Sequence, residues 1–462
     1  MKKIIVLFCF LMATSFVSIA CEAKEVKTIY VATNGQDTWS GTKEKPLKTL
    51  KKAATKATAG MTIIIRKGTY KEPLIIQHSG TKQKPIRFQA APHEKVVISG
   101  ENVKSVNGEK ALIYIKSKQY ITIKGLTLQN VTTKKTNETP MGIYVTGSSK
   151  AIRLQQNHIH HIQTNDKNGN AHGIAVYGTG AMKDIRIQQN TVENLKLGAS
   201  EAVVLNGNID GFDISKNIVR RNDNIGIDVI GYEGVATNKK YDYVRNGTIT
   251  ANTVSNISSY GNPAYGKNYA AGGIYVDGAK NVRIANNRVY QNDLGIEATS
   301  EHRGKYAENI TIEHNTIYYN RYTGISVGGY DVKRGGTKNS IIRLNTLYQN
   351  DTKNLYGGQL LLQHYVENNR IERNVMTPSR SRLFIVNDAK TNRENLLKRN
   401  IYDQTDQKNG LWMWKTKEYD RFLDFQKATK SQDSLYTKVQ YRNVKKQDFQ
   451  LVKGSKAEKW IQ

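Results

Sequence analysis

Apolar and polar residues alternate with a period of two along most of this chain. That period is typical of β-strands, whose successive side chains point to opposite faces, and runs with helical spacing are scarce. From Gln119 onward the alternation recurs in two short patterns, GIxV followed by IxIxxNxI. The GIxV pattern and its variants begin at Gly142, Gly173, Ala202, Gly226, Gly273, Gly295 and Gly324.

The second pattern carries one asparagine per repeat. These asparagines are Asn157, Asn190, Asn217, Asn252, Asn287, Asn315, Asn345 and Asn374. A period of roughly 20 to 50 residues marks a stacked repeat architecture, in which equivalent positions of successive coils form ladders about 4.8 Å apart. The sequence therefore predicts an all-β parallel β-helix whose inward asparagines bond the backbone of neighbouring coils.

The two ends differ from the repeats, as the ends of a solenoid should. Residues 43–59 indicate an amphipathic helix that caps the first coil, and residues 411–433 combine aromatic residues with a helical stretch. We expect an N-terminal cap with the first coils over residues 24–118. The repeats with the active-site face are expected over 119–402, and a C-terminal cap over 403–462.

Residues 1–20 predict a secretory signal peptide, because a basic start precedes an apolar run from Ile4 to Ala20. Cleavage fits before Cys21 or before Lys24, and a lipid anchor on Cys21 is an alternative. Cys9 and Cys21 are the only cysteines, so the mature chain has no intramolecular disulfide. We expect a secreted or extracellular monomer, with no transmembrane segment because no second apolar run follows.

Two segments resemble those of a known group. The opening IYVATNGQDTWSGTKEKPLKTLKKAATKATAGMTIIIRKGTY resembles the first segment of secreted right-handed β-helix proteins, which include pectate-lyase-like and chondroitinase-like polysaccharide lyases. The ending DFQLVKGSKAEKW resembles the closing motif of the same group. The resemblance implies a right-handed β-helix that acts on carbohydrate. The activity stays open, because this scaffold also carries inverting glycoside hydrolases, epimerases and phage tailspikes.

The net charge of the chain limits the classes of binding partner. Lys and Arg number 69 and Asp and Glu 39, which gives a net charge of +30. So large an excess attracts polyanions. Because no nucleic-acid-binding motif accompanies it, we expect an acidic polysaccharide as the partner and no nucleic acid. A general affinity for anionic cell walls is the alternative.

Acidic residues recur on one predicted face. If Ile and Val of GIxV point inward, the residue between them and the residue after Val point outward. Asp228, Asp277 and Glu297 then share a face in three successive coils, and Glu201 precedes the strand of the coil before them. Carboxylates stacked in this way repel one another unless they bind a cation or share a proton. We therefore assign these four residues as ligands of a calcium cofactor.

The same face carries groups suited to sugar rings. Tyr144, Tyr177, Asn206 and Tyr275 offer flat surfaces and hydrogen-bonding groups for substrate binding. Insertions at residues 232–246, 257–271 and 300–309 are expected to form the walls of a groove. Lys239 and Arg245, in the first of them, are predicted to contact the anionic chain.

Elimination from a uronate polymer needs a group that neutralises the substrate carboxylate and a base that removes the neighbouring proton. Calcium would neutralise the substrate carboxylate. The base that removes the proton would be Lys267, Arg303 or His302. An inverting glycoside hydrolase is the alternative, with Asp228 and either Asp277 or Glu297 as acid and base about 6.5 to 9.5 Å apart. A non-catalytic β-helix that binds walls or glycans is the third reading.

Overall fold

The structure is a computed structural model that describes residues 28–405 and 409–461. The predicted signal peptide and both cysteines lie outside the described residues. Within those residues, no helix is both long and apolar enough to cross a membrane.

The strands stack into three parallel ladders, and a typical coil contributes one strand to each. The GIxV ladder contains Leu74–Ile75, Glu109–Lys116, Thr139–Thr146, His172–Gln188, Val203–Ser215, Ile227–Ile230, Gly272–Asp277, Leu294–Thr299, Thr323–Val327, Leu360–Leu362, Leu383–Asn387 and Leu411–Trp414. Two long strands, His172–Gln188 and Val203–Ser215, run through both the GIxV ladder and the IxIxxN ladder. The other strands of the IxIxxN ladder are Thr28–Val31, Thr62–Ile65, Ile86–Ala90, Gln119–Lys124, Lys150–Gln155, Val244–Thr250, Lys280–Ala285, Tyr306–Glu313, Ile341–Arg343, Arg370–Glu372 and Leu396–Lys398.

The third ladder closes each coil. Its strands are Gly68–Tyr70, Val96–Ser99, Thr127–Thr133, His158–Thr164, Thr191–Glu193, Ile218–Arg220, Thr253–Ser255, Arg288–Tyr290, Thr316–Tyr318, Thr346–Tyr348, Val375–Thr377, Ile401–Asp403 and Leu435–Thr437. The remaining described elements are strands Gly336–Lys338, Val366–Glu367, Lys417–Tyr419, Tyr441–Asn443 and Asp448–Leu451, α-helices Leu50–Lys56, Phe422–Thr429 and Lys456–Ile461, and 3₁₀ turns Lys239–Tyr241 and Val444–Lys446.

The register of the GIxV ladder follows the expected pattern. Asp228 pairs with Tyr275, and Tyr275 pairs with Glu297 in the next coil. The apolar residues of the pattern point inward and are fully buried: Ile143, Ile174, Val203, Ile227, Ile274 and Ile296. A one-residue slip would have turned the acids into the core, so this register places them on the outer side of the ladder.

The asparagines form the predicted inward ladder. Oδ1 of Asn252 accepts hydrogen bonds from the backbone N and Nδ2 of Asn217, at 2.9 and 3.0 Å. Nδ2 of Asn252 donates to the carbonyl oxygen of Ile214 in the preceding coil, at 2.9 Å. The same contacts repeat from Asn157 to Asn374, which satisfies backbone groups that each turn would otherwise leave buried without partners.

We expect Asn252→Ala to lower the free energy of unfolding by about 2 to 5 kcal/mol, because it leaves Asn217 N and Ile214 O buried without partners. Chemical denaturation of this variant beside Asn168→Ala, an exposed loop asparagine, measures the effect. The control should stay within about 0.5 kcal/mol of the unchanged protein. Equal stabilities of the two variants would show that the ladder does not stabilise the fold.

Both ends are capped, as expected. The N-terminal helix begins at Leu50, later than predicted, because the side chain of Thr49 accepts a hydrogen bond from Lys52 N and fixes the first turn. At the other end Trp412 stacks between Phe384 and Phe425, with ring centroids 4.9 and 5.3 Å apart. These rings cover the apolar interior that the last coil would expose to water.

Candidate functional site

A pocket of about 580 Å³ lies on the outer side of the GIxV ladder. Its floor is the row of outward side chains of the central coils, and its walls come from the insertions that leave those coils. Polar, acidic and aromatic side chains line it: Asn107, Glu109, Asn137, Thr139, Tyr144, Asn170, His172, Tyr177, Ser200, Glu201, Asn206, Asp228, Glu233, Tyr265, Tyr275, Asp277 and Glu301.

The pocket gathers much of the residue set selected from the sequence. Asp228, Asp277 and Glu201 all line it. The four residues predicted to bind sugar also line it: Tyr144, Tyr177, Asn206 and Tyr275. Glu297 does not; it lies buried one coil further along, paired with Tyr275 and Ser326.

The predicted bases are not brought together in the same way. Lys267 and Arg303 are exposed, and neither lines the pocket. The Nε2 atom of His302 lies 2.9 Å from Oε1 of Glu233, so it contacts the pocket wall from outside. The structure therefore does not support Lys267 or Arg303 as the base, because their insertions direct them to solvent.

The cations predicted to contact substrate bond protein groups outside the pocket, and Arg245 also donates to Oδ1 of Asn208 on the strand Val203–Ser215 at 3.1 Å. The Lys239 ammonium donates to the carbonyl oxygen of Gly234 at 2.7 Å. The Arg245 guanidinium lies over the rings of Tyr241 and Tyr243, with distances of 5.2 and 5.3 Å. Neither residue lines the pocket, because both hold the fold of the insertion instead.

The row of outward acids, Asp228, Asp277 and Glu297, is buried rather than solvated. The outward direction predicts solvated carboxylates, but the insertions cover the row, and Asp228 and Asp277 are only 2% and 4% exposed. Burial is the largest cause that raises the pKa of both, and neighbouring carboxylates, among them Glu301, raise it further. Burial likewise raises the pKa of Glu297 to about 8. Asp228 and Asp277 therefore favour the neutral, proton-donating form.

The charge of the pocket is opposite to that of the chain. None of the described residues that line the pocket is Lys or Arg. Six carboxyl groups line it, those of Glu109, Glu201, Asp228, Glu233, Asp277 and Glu301. The net charge of +30 therefore resides on other surfaces. The sequence-based expectation that basic loops line the groove is wrong for this pocket.

These residues do not form the expected calcium site. In residues 28–405 and 409–461, no three His, Cys, Asp or Glu side chains are arranged to hold a metal ion. Calcium takes six to eight oxygen ligands, and it favours ionised carboxylates. Here Glu297 lies outside the pocket, so the four predicted ligands do not all meet at one place. A calcium cofactor stays a prediction from the sequence.

Tyr177, His172 and Glu201 form a hydrogen-bonded line along the pocket. The Nδ1 atom of His172 lies 3.0 Å from the backbone oxygen of Glu201, and its Nε2 lies 3.1 Å from the hydroxyl of Tyr177. A carbonyl only accepts, so Nδ1 carries the proton and Nε2 accepts from the tyrosine. Burial lowers the pKa of His172 to about 4, which keeps the ring neutral, so that Nε2 accepts the hydrogen bond from Tyr177.

Two buried polar atoms of the pocket have no hydrogen-bond partner, Oδ1 of Asn206 and Oδ1 of Asp228. Buried polar atoms are almost always paired in folded proteins, because an unpaired one costs about 1 to 3 kcal/mol. Both residues line the pocket, so a polar ligand can reach them there.

Burial, the largest cause, and the carboxylates of Glu233 and Glu301 raise the pKa of Glu201 from 4.5 to about 8. Between these values the unfolded chain ionises while the folded one keeps its proton, so stability falls as pH rises from about 4.5 to 8. We expect Glu201→Gln to be more stable than the unchanged protein at pH 8 by about 2 to 4 kcal/mol, and nearly equal to it at pH 5. Denaturation at both pH values tests this.

Exposed Glu44 supplies the control for that experiment. Glu44→Gln removes the same charge from the surface and should leave the pH dependence of unfolding unchanged. A Glu201→Gln variant that is equally or less stable than the unchanged protein at pH 8 would contradict a neutral Glu201.

Among the pocket residues that sequence reasoning missed are three acids and a tyrosine: Glu109, Glu233, Glu301 and Tyr265. Glu233, Tyr265 and Glu301 lie in the insertions that were predicted to form the walls. In those insertions only cations were considered as substrate-binding groups, so the acids were overlooked. The hydroxyl of Tyr275 donates to Oε1 of Glu301 at 3.2 Å, and the backbone N of Glu301 donates to Oδ1 of Asp277 at 2.7 Å. These bonds fix the insertion against the ladder.

A family model described as "Pel9A-like, right handed beta helix region" matches residues 29–220, and one described as "Right handed beta helix region" matches residues 245–420. The uncharacterized protein YwoF of Bacillus subtilis (strain 168) is 56% identical over 430 residues, 93% of this chain and 92% of that protein. The chain belongs to the right-handed β-helix proteins, and its first part matches the Pel9A-like model of that fold. The right-handed fold implied by the sequence resemblance is thereby confirmed.

Other relatives show the range of activities in this fold. The pectate lyase PEL9 of Emericella nidulans is 32% identical over 132 residues, which cover 26% of this chain and 30% of that protein. The solved structure of GH136 lacto-N-biosidase from Eubacterium ramulus gives a TM-score of 0.55 at 12% identity, over 90% of this chain and 68% of that one. The likeness to PEL9 is confined to about a quarter of this chain, and the likeness to the second protein concerns the fold alone.

Proposed function

We propose that this protein is a secreted polysaccharide lyase that cleaves an acidic, uronate-containing polysaccharide by β-elimination in the acid-lined pocket. The observation that carries the proposal is the line Tyr177–His172–Glu201 beside carboxyl groups held neutral. The local likeness to a pectate lyase over 132 residues agrees with this reaction type.

Elimination begins when the substrate carboxylate is neutralised, which acidifies the proton on the neighbouring carbon. A neutral carboxylic acid does this by donating a short, charge-assisted hydrogen bond to the uronate. Asp228 and Asp277 are buried acids that favour the protonated form, and Asn206 adds an amide beside them. Their protons replace the cation that this step otherwise needs.

Tyr177 and His172 then supply the proton transfers. As the oxygen of Tyr177 takes the proton from the substrate carbon, its own proton passes to Nε2 of His172, 3.1 Å away. The C–O bond to the leaving sugar breaks, and the electrons of the former C–H bond form the carbon–carbon double bond. The proton on His172 returns through Tyr177 to the departing oxygen, which restores both residues.

Inverting hydrolysis is the second candidate, and the acidic pair favours it. Asp228 and Asp277 lie on adjacent coils and two residues apart in register, which places their backbones about 8 Å apart. That spacing suits an acid and a base on either side of a sugar and a water molecule. Both groups favour the neutral form, however, and hydrolysis needs one of them ionised.

Incubation of the purified protein with polygalacturonate, alginate, a glycosaminoglycan and a neutral glycan tests the proposal. We expect ultraviolet absorbance from unsaturated products with at least one uronate polymer, in the presence of EDTA. Reducing ends without that absorbance would establish the hydrolase instead. Unchanged polymers throughout the panel would contradict both enzymatic readings and favour a binding protein.

A further inference from the structure

Two clefts on the face of the IxIxxN ladder are rich in cations. One opens near each end of the solenoid. Each is lined by five cationic side chains and one carboxylate, for a net lining charge of +4 by subtraction. We call them the N-terminal and C-terminal basic clefts.

The N-terminal basic cleft has a volume of about 590 Å³. Arg153 and Arg186 both bond the single acid, Asp184. The other three cations have no carboxylate partner among the described residues: Lys82, Arg87 and Lys150. The ring of Tyr120 also lines the cleft. Free cations beside an aromatic ring suit an anionic sugar, which needs both a charge partner and a flat surface.

The C-terminal basic cleft has a volume of about 330 Å³. Arg370 pairs with Glu372, the single acid of its lining, at 2.8 Å. Arg373 and Lys398 have no carboxylate partner in the part of the chain that the structure describes. Arg399 donates to the carbonyl oxygen of Trp460 at 2.7 Å, so it is held against the C-terminal cap.

The two clefts share one straight row of strands. From Arg153 to Arg370 the ladder takes seven strand-to-strand steps, about 34 Å at the usual strand spacing. A third cleft between them is lined by Lys216, Arg283 and Asp213, and Arg283 pairs with Glu313 at 2.6 Å. A small anion would fill one cleft only, whereas an extended polymer along the helix axis reaches both.

We propose that this basic face is a non-catalytic binding site for an extended uronate polysaccharide, which lies along the solenoid and contacts both basic clefts. The polymer class is taken from the proposed function, and the site itself rests on the separate geometry of the IxIxxN ladder. A pocket with six carboxyl groups and no cation cannot attract a polyanion from a distance, so this face supplies that attraction. Single-stranded nucleic acid is disfavoured, because its binding grooves carry successive aromatic rings and the two clefts have one.

Binding of long polygalacturonate, measured by titration at low and moderate salt, tests the site. The variant Lys82→Gln/Arg87→Gln/Lys150→Gln and the variant Arg373→Gln/Lys398→Gln should each weaken binding by at least about tenfold, since either change removes one of two linked contacts. Galacturonate trimer, which is too short to span the clefts, should bind weakly and be affected by one variant at most.

A matched control is Lys43→Gln/Lys45→Gln/Lys48→Gln, which removes three exposed cations at the N-terminal end away from both clefts. It should change binding by less than about twofold. All variants carry Tyr177→Phe, and polymer length is checked after each titration, so that loss of turnover and loss of binding are read separately. Equal weakening by the control, or equally tight binding of single-stranded DNA at the same salt, would overturn the proposal.

Discussion

Tyr177→Phe should lower kcat on a uronate polymer by about 100- to 10,000-fold, the range that a general acid–base group contributes. The variant keeps the ring and its edge contact with His172, whose centroid lies 5.8 Å away, and removes only the hydroxyl that relays the proton. Initial rates from the absorbance of unsaturated products measure the loss.

Tyr144→Phe is the matched control, because Tyr144 lines the same pocket and its ring packs against Tyr177 with centroids 5.8 Å apart. It should raise KM and leave kcat nearly unchanged, as expected of a residue that binds the ground state and the transition state equally. Comparable kcat losses in the two variants would mean that Tyr177 acts through packing rather than through its hydroxyl.

Asp228→Asn should retain kcat to within about tenfold, whereas Asp228→Ala should lose about 100-fold or more. The amide is neutral and donates a hydrogen bond, as the protonated acid does, so it still pairs with a uronate carboxylate. Alanine leaves that carboxylate without a donor in a buried site. Steady-state kinetics on the two variants give the comparison directly.

The same pair of variants separates the two enzymatic readings. A general acid must release its proton, which an amide cannot do, so in a hydrolase Asp228→Asn would be as inactive as Asp228→Ala. Equal and large losses in the two variants would therefore contradict the neutralising role of Asp228.

The sequence predicts the β-helix well because every coil of a solenoid carries the same pattern of inward and outward residues. Each GIxV segment gives the same inward positions, so the register that places Asp228 beside Tyr275 is specified several times over. The asparagine ladder is predictable for the same reason, since every turn needs the same backbone partners.

The site was predictable only where it lies on the ladder. Asp277 and Asn206 follow from strand periodicity, but Glu233 and Glu301 stand in insertions whose path no repeat determines. Charge was misleading for a related reason. A net charge gives the number of charged residues and not their positions. It therefore could not reveal that cations such as Arg87 and Lys150 lie on the IxIxxN ladder, whereas pocket acids such as Asp277 lie on the GIxV ladder.

Mass spectrometry of the products from a defined uronate oligosaccharide, with EDTA present, tests the central claim most directly. Elimination predicts that the product from the reducing-end side of the cleaved bond carries the double bond at its new non-reducing end and is lighter by one water molecule than its hydrolytic counterpart. The matching ultraviolet absorbance should appear with the unchanged protein and be almost absent with Tyr177→Phe. Products that have all gained water, or unsaturated products that persist undiminished in Tyr177→Phe, would contradict the account.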